Sequence, residues 1–261
     1  ISKEDKDLSE LDICSINEAQ SFLDFDSLVR SSSSIYLEQR DSSWLSLITN
    51  LTVFKDKIYI FDSAIGSVSV FDFNGNFERN IGRKGRGPGE LVSPTDFTID
   101  TLQSHIEILD SQLNKIFKYG LDSEYLGEVI INEGYTSLYK FDQSNYIFTR
   151  PIVQFTRDFS INAEDNFSMV YGSLDYLKHF MPYRTQNLLD GNLRYNQNCF
   201  SPFGEGVLFW EIFNDTIYHI VKDQYEAKFY IDFNEKRLPE SVLEMELMER
   251  IRIIEGSHGY N

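Results

Sequence analysis

The stretch "NIGRKGRGPGEL", residues 80–91, sets Gly82, Gly85, Gly87 and Gly89 around Arg83, Lys84 and Arg86. Bare amides and positive charge of this kind can converge on a phosphate. A nucleotide-binding GxxxxGK[ST] loop needs a Lys and a hydroxyl after its second glycine. Gly82 and Gly87 have that spacing, but Pro88 and Gly89 stand in the two decisive places. The dinucleotide pattern GxGxxG fails as well, because Gly85 and Gly87 lead to Glu90 where the third glycine belongs. Downstream, "LVSPTDFTID" alternates like a strand and opens no helix. The segment therefore reads as a glycine- and proline-punctuated connector. Arg83, Lys84 and Arg86 stand as candidate ligand contacts on it.

Carboxylates are the next candidates. Asp62 and Asp110 close two similar runs, "KIYIFD" and "HIEILD". They could ligate a central metal, or each could accept hydrogen bonds from the amides of a turn. Repetition favours the second, since turn chemistry recurs with a repeat. Asp96 and Asp100 in "PTDFTID", with Asn50 and Thr52 in "ITNLTVF", are the polar positions of two inner strands and hence candidate ligand contacts. "DFNGN" (72–76) lacks the alternating acidic ladder and distal Glu of a calcium loop and reads as a hairpin turn.

The histidines, His105, His179, His219 and His258, form no HxH or HExxH, and no GxSxG elbow exists. His105 and His219 lie in strand patterns and read as surface or edge residues. Cys14 and Cys199 have no metal-ligand spacing; a disulfide and two thiols suit the sequence equally. No catalytic residue, metal site or cofactor is assigned from sequence. Aromatic groups around 135–155 and 176–183 could stack on a sugar, or fill tapering space between sheets.

The elements that must position these residues emerge from an internal repeat. "KIYIFDSAIGSVSVFDFNGNFERNI" (57–81) aligns without a gap on "HIEILDSQLNKIFKYGLDSEYLGEV" (105–129), an offset of 48 residues (110 − 62 = 48). Ile58 falls on Ile106, Ile60 on Ile108, Val68 on Ile116, Phe71 on Tyr119 and Ile81 on Val129. Apolar residues match at alternate positions, the period of a strand. With "SLITNLTVF" and "PTDFTID" ahead of them, each unit holds four short strands, the signature of a β-propeller blade. Looser copies follow in "TSLYKFDQSNYIFTR" with "NFSMVYGSLDYLKHFMPY", and in 196–233. Four blades are countable. "LPESVLEMELMERIRII" (238–254) is the one expected helix, with an apolar stripe of Leu243, Leu247, Met248, Ile251 and Ile254.

Composition agrees. Phe and Tyr number 21 and 15, a β-leaning bias. Charge is −17, from 24 basic and 41 acidic side chains, which opposes binding to a nucleic-acid backbone. No run of about eighteen apolar residues could span a membrane. Residues 1–30 are read as an acidic tether and 31–261 as the propeller domain.

The combination of "VFDFNGNFERNIGRKGRGPGEL" with "FTID…IEILDSQLNKIFKY" resembles NHL-repeat propellers, and more closely the six-bladed β-propellers of Bacteroides-type envelope proteins. The resemblance implies a six-bladed ring, a periplasmic or outer-membrane-associated location reached through an N-terminal signal, and room for a lipid anchor upstream of Ile1. It implies no catalytic residue. Two functions are carried forward: a binding module that presents a propeller face or channel to a glycan, peptide or envelope protein, and a metal-dependent lactonase- or lyase-type propeller enzyme, for which calcium is a candidate ion. Because six blades exceed the four countable ones, the native chain is expected to continue on the order of 90 residues past Asn261. Ile35 and Leu37 in "SSSSIYLEQ" are expected in a strand that closes the ring's seam.

Overall fold

The computed structural model describes residues 12–15, 31–41, 43–131, 134–149, 167–174, 176–182, 199–210, 215–233, 240–243 and 245. A short strand, β1 (Asp12–Ser15), comes first. Blade one holds β2 (Ile48–Phe54), β3 (Lys57–Asp62), β4 (Ser67–Asp72) and β5 (Phe77–Ile81). Blade two holds β6 (Pro94–Asp100), β7 (His105–Asp110), β8 (Lys115–Gly120) and β9 (Tyr125–Ile130). Blade three holds β10 (Ser137–Lys140), β11 (Asn145–Thr149), β12 (Phe167–Ser173) and β13 (Tyr176–Pro182). The fourth sheet holds β14 (Phe200–Phe203), β15 (Gly206–Trp210), β16 (Thr216–Val221) and β17 (Gln224–Asp232). Each sheet runs in sequence order as an antiparallel meander, and β1 adds parallel to β17. The four blades expected from the repeat are all present. The chain divides into two compact units, one containing blades one to three and the other the fifth-strand-extended sheet.

Within the three-blade unit, β6 is flanked by β2 and by β10, so the inner strands stand side by side. Strand alternation then gives each blade two apolar faces. Phe61, Val68, Val70 and Ile81 of blade one meet Phe97, Ile106, Ile108 and Phe117 of blade two in one core. Leu109 and Ile116, on the opposite face of blade two, pack with Tyr135, Leu138, Tyr146 and Phe148 before and within blade three. Every residue of β7 is buried, as expected of a strand covered on both faces.

The repeat extends to backbone detail. Gly75 in the β4–β5 turn has φ +83°, and Ser123, 48 residues on (123 − 75), has φ +79°. At Gly75 a Cβ would stand 2.0 Å from the Tyr36 carbonyl oxygen, so glycine is required there by contact as well as by φ. The Asp72 carboxylate accepts from the amides of Asn74 and Asn76, which makes "DFNGN" the expected hairpin turn. Bulges recur before Asn50 and before Asp96, at equivalent points of β2 and β6.

Asp62 and Asp110 have the same role in their blades. Asp62 Oδ2 accepts from the Ser46 and Leu47 amides while Oδ1 accepts from Ala64 and Ile65. Asp110 Oδ2 accepts from Val92 and Ser93, and Oδ1 from Gln112 and Leu113. Each carboxylate pins the incoming chain to the turn after its strand. They are turn acceptors, not convergent metal ligands.

Two expectations need correction or restriction. Ile35 and Leu37 are not in a strand: residues 31–40 carry no regular structure. Leu37 packs instead against the Ile58, Ile60 and Phe71 cluster, and the Glu38 amide donates to the Gly75 carbonyl. The hairpin turn of blade one captures this segment locally, so it is not available to pair at a seam. The strand that does extend another sheet, β1, lies within residues 1–30. Of the expected helix, the described part is the single turn α1 (Glu240–Leu243); the remainder lies outside the described residues.

Candidate functional site

The glycine-rich segment joins β5 to β6, as expected of a connector. The Leu91 amide donates to the Arg83 carbonyl and the Gly85 amide to the Leu91 carbonyl, folding the loop back on itself. Glu90 collects the nearby charge, accepting from the Gly87 amide and pairing with Arg83 at 2.7 Å. Lys84 Nζ donates to the Ala64 carbonyl, while the Arg86 side chain is exposed.

The two aspartates of β6 lie elsewhere, buried. Asp96 Oδ1 accepts from Asn50 Nδ2 at 2.8 Å and from the Phe97 amide, and Oδ2 accepts from the Leu138 amide at 3.0 Å. One carboxylate thus ties the inner strands of three blades. Burial pushes its pKa up to about 7 against the pull of those three donors. A folded pKa raised above the unfolded value means stability that is fully present below about pH 4 and lost as pH rises through about 7. The expected outcome is a melting temperature that falls by several degrees between pH 5 and pH 8. Asp96→Asn should flatten that slope; equal slopes in both proteins would contradict it.

Asp100, at the end of β6, belongs to a second buried group. Its Oδ1 accepts from the Leu102 and Gln103 amides of the β6–β7 turn, and this turn aims Oδ2 at Lys140 Nζ, 2.7 Å away. His105 opens β7 opposite Asp100 in the ladder. Glu107 follows two residues later, so the strand period puts both side chains on the same face. His105 Nε2 lies 2.8 Å from Glu107 Oε1. From blade three, Lys140 ends β10 and Tyr146, the second residue of β11, is its ladder partner. Lys140 Nζ donates to Glu107 Oε1 at 2.9 Å and to Tyr146 Oη at 2.9 Å, and Tyr146 Oη donates to Glu107 Oε1 at 3.0 Å. Lys118 Nζ stands 3.6 Å from the same oxygen. The group is enclosed, with Asp100 2%, His105 5%, Glu107 0% and Tyr146 3% exposed.

Enclosure and pairing set the charge states. Burial alone would neutralise Glu107, but hydrogen bonds from Lys140 and His105 outweigh it and hold the carboxyl below its usual value. Asp100 is likewise held down, chiefly by Lys140. For Lys140, burial disfavours the charge, yet Asp100, Tyr146 and Glu107 raise its pKa well above normal. Burial and the Glu107 charge push Tyr146 up to about 12. At neutral pH the group therefore holds two carboxylates, an ammonium and a neutral phenol.

Two carboxylate oxygens of the group lack a hydrogen-bond donor among the described residues, and one of them, Asp100 Oδ2, meets Lys140 Nζ only as a close ion pair. Glu107 Oε2 is buried and accepts no hydrogen bond among the described residues. An unsatisfied buried carboxylate oxygen costs stability, and such costs collect at functional sites. Asp100, His105 and Glu107 each offer a ligand atom, all within 4.8 Å of one another. Two carboxylates and an imidazole suit a divalent cation that takes oxygen and nitrogen ligands, and Oε2 is a donor with capacity to spare. The residues fit such an ion.

Sequence reasoning reached Asp100 but not its neighbours, and placed His105 at a surface or edge, where the structure buries it. The signal lay in the repeat. At the offset of 48, Glu107 falls on Tyr59, a core aromatic of blade one (107 − 59 = 48). A charge at an inward position of a doubly covered strand needs buried partners. Lys140 and Tyr146 carried no comparable signal, because blade three aligns too loosely to give a register.

A family profile described as "Domain of unknown function (DUF4934)" matches residues 8–254. No curated protein matches the chain. Among solved structures, a Bacteroides fragilis protein provisionally described as exported superposes with TM-score 0.66 at 21% identity, over 77% of this chain and 55% of that one. A Bacteroides vulgatus member of the DUF4221 family gives TM-score 0.48 at 10% identity, over 75% of this chain and 63% of that one. Virginiamycin B lyase from Staphylococcus aureus gives TM-score 0.41 at 12% identity, over 70% and 57%. The first likeness supports the propeller-like fold alone. This chain spans 55–63% of the length of these structures. Among the described residues, no helix is long and apolar enough to cross a membrane.

Proposed function

The chain belongs to the DUF4934 family, and from that footing we propose that it is a metal-dependent propeller enzyme of the lactonase or lyase type, with Asp100, His105 and Glu107 as ligands of a divalent cation. The observation that carries the proposal is Glu107 Oε2, a buried carboxylate oxygen left without a donor among the described residues in a cluster of ligand atoms. A bound divalent ion would supply Lewis acidity, which polarises a carbonyl or stabilises charge that develops beside it. The chain's own contribution is positional. The β6–β7 turn fixes Asp100, the β7 pleat aligns His105 with Glu107, and Tyr146 holds its proton against Glu107 Oε1.

We further propose that this enzyme sits in a six-bladed propeller of the cell envelope. The exported character ascribed to the Bacteroides fragilis protein and the family resemblance in the repeat support that setting.

The enclosure of the cluster favours a second reading, a non-catalytic module that binds a glycan, peptide or envelope protein on a blade face. Arg83, Lys84 and Arg86 would then be contacts on the β5–β6 connector. Their combined replacement by Gln should weaken an anionic ligand more than tenfold.

Metal analysis of protein purified without chelator separates the two. The enzyme reading expects close to one divalent ion per chain and turnover of a lactone or lyase substrate that a chelator abolishes. Metal-free protein that turns over no substrate and is retained on a glycan or peptide array would replace it with the second reading.

A further inference from the structure

The cluster already contains a cation. Lys140 Nζ stands 2.7 Å from Asp100 Oδ2 and 2.9 Å from Glu107 Oε1, between the two carboxylates that would hold a metal. We infer that Lys140 is an exchangeable internal counter-ion whose ammonium must leave the carboxylate pair for a divalent cation to bind, so that this one side chain sets the metal affinity of the site. The inference rests on the ligand set of the proposed enzyme and deepens it.

Three features carry it. The carboxylates cannot serve both ions, because a divalent cation and an ammonium in one enclosed space repel strongly at low dielectric. The ammonium also has somewhere to go. Lys140 is the last residue of β10, and the turn that follows is exposed from Asp142 to Ser144. A long flexible stem at a strand end can carry its head group from a buried position to a wet one. Finally, a fully satisfied buried ion pair leaves neither carboxylate oxygen without a donor, and here Glu107 Oε2 has none among the described residues. The lysine balances the charge of the pocket without completing its coordination.

Lys140→Met removes the ammonium and keeps an apolar stem of similar length. Without metal it leaves two buried carboxylates with only the more distant Lys118 ammonium beside them, so the variant should melt well below the parent. Manganese should then restore the melting temperature, and calorimetric titration of the full chain with manganese chloride should show at least tenfold tighter binding than in the parent. Adding Glu107→Gln to Lys140→Met should abolish both effects.

The outcomes separate this inference from the reading it rests on. If the parent binds manganese and Lys140→Met binds no better, the ligand set stands and the counter-ion role falls. If only Lys140→Met binds, the counter-ion role stands and the native chain is no metal enzyme. If neither binds, both fall. Should Lys140→Met fail to fold, Lys140→Gln gives the same comparison with a polar, uncharged head group.

Discussion

Asp62→Ala is expected to destabilise the three-blade unit by about 4 kcal/mol, and Asp110→Ala by a similar amount. Each carboxylate is buried and accepts from four backbone amides, two ahead of its blade's inner strand and two in the turn beyond its own strand. Alanine leaves those amides without their acceptor, and each orphaned buried donor costs about 1–3 kcal/mol before water or local shifts relieve it. Asparagine does little better, because its amide nitrogen would face two donors. The loss should appear in urea unfolding followed by far-UV circular dichroism. By contrast, Asp122→Ala, which removes one exposed acceptor from the Glu124 amide, should cost about 0.5 kcal/mol or less. Acid tests the same contacts. After allowance for burial, the amide hydrogen bonds hold the Asp62 carboxyl below its usual value. Its contribution is therefore present above about pH 4 and lost as pH falls through the lower folded value. A loss under 1 kcal/mol in both alanine variants would show that the recurrent aspartates do not pin the blades.

The second large effect is expected at Glu107. Glu107→Gln keeps the shape but removes the negative charge that faces Lys140 and Lys118. Breaking a buried pair from one side costs up to about 3–5 kcal/mol, and here the surviving ammonium keeps only Asp100 of its two carboxylate partners. The double variant with Lys140→Met should cost less than the sum of the two single changes by at least about 1 kcal/mol. Additive losses would mean that the two side chains do not interact as their 2.9 Å contact requires.

How far the sequence could reveal this depends on what each feature is made of. Blade architecture is written in alternation and turns, which are local, so the 48-residue offset located β3 to β5 and β7 to β9 and predicted the roles of Asp62 and Asp110. The charged cluster is built across blades. Asp100, His105 and Glu107 meet Lys140 and Tyr146 only when β10 docks beside β6, and no spacing along the chain encodes that docking. The same limit explains Ile35 and Leu37. Their alternation suits a strand, but the close approach of Tyr36 to Gly75 draws the segment onto a hairpin turn, a tertiary contact that outweighs local preference.

In the proposed site Asp100, His105 and Glu107 would hold the cation whose place Lys140 now takes. Anomalous diffraction from crystals of the full chain soaked in manganese decides whether they do. The prediction is a single strong peak at about 2.2 Å from one atom of each of the three side chains, with the Lys140 head group moved off the carboxylates towards the β10–β11 turn. A map with no peak there, and with Lys140 still bridging Asp100 and Glu107 at saturating manganese, would contradict it.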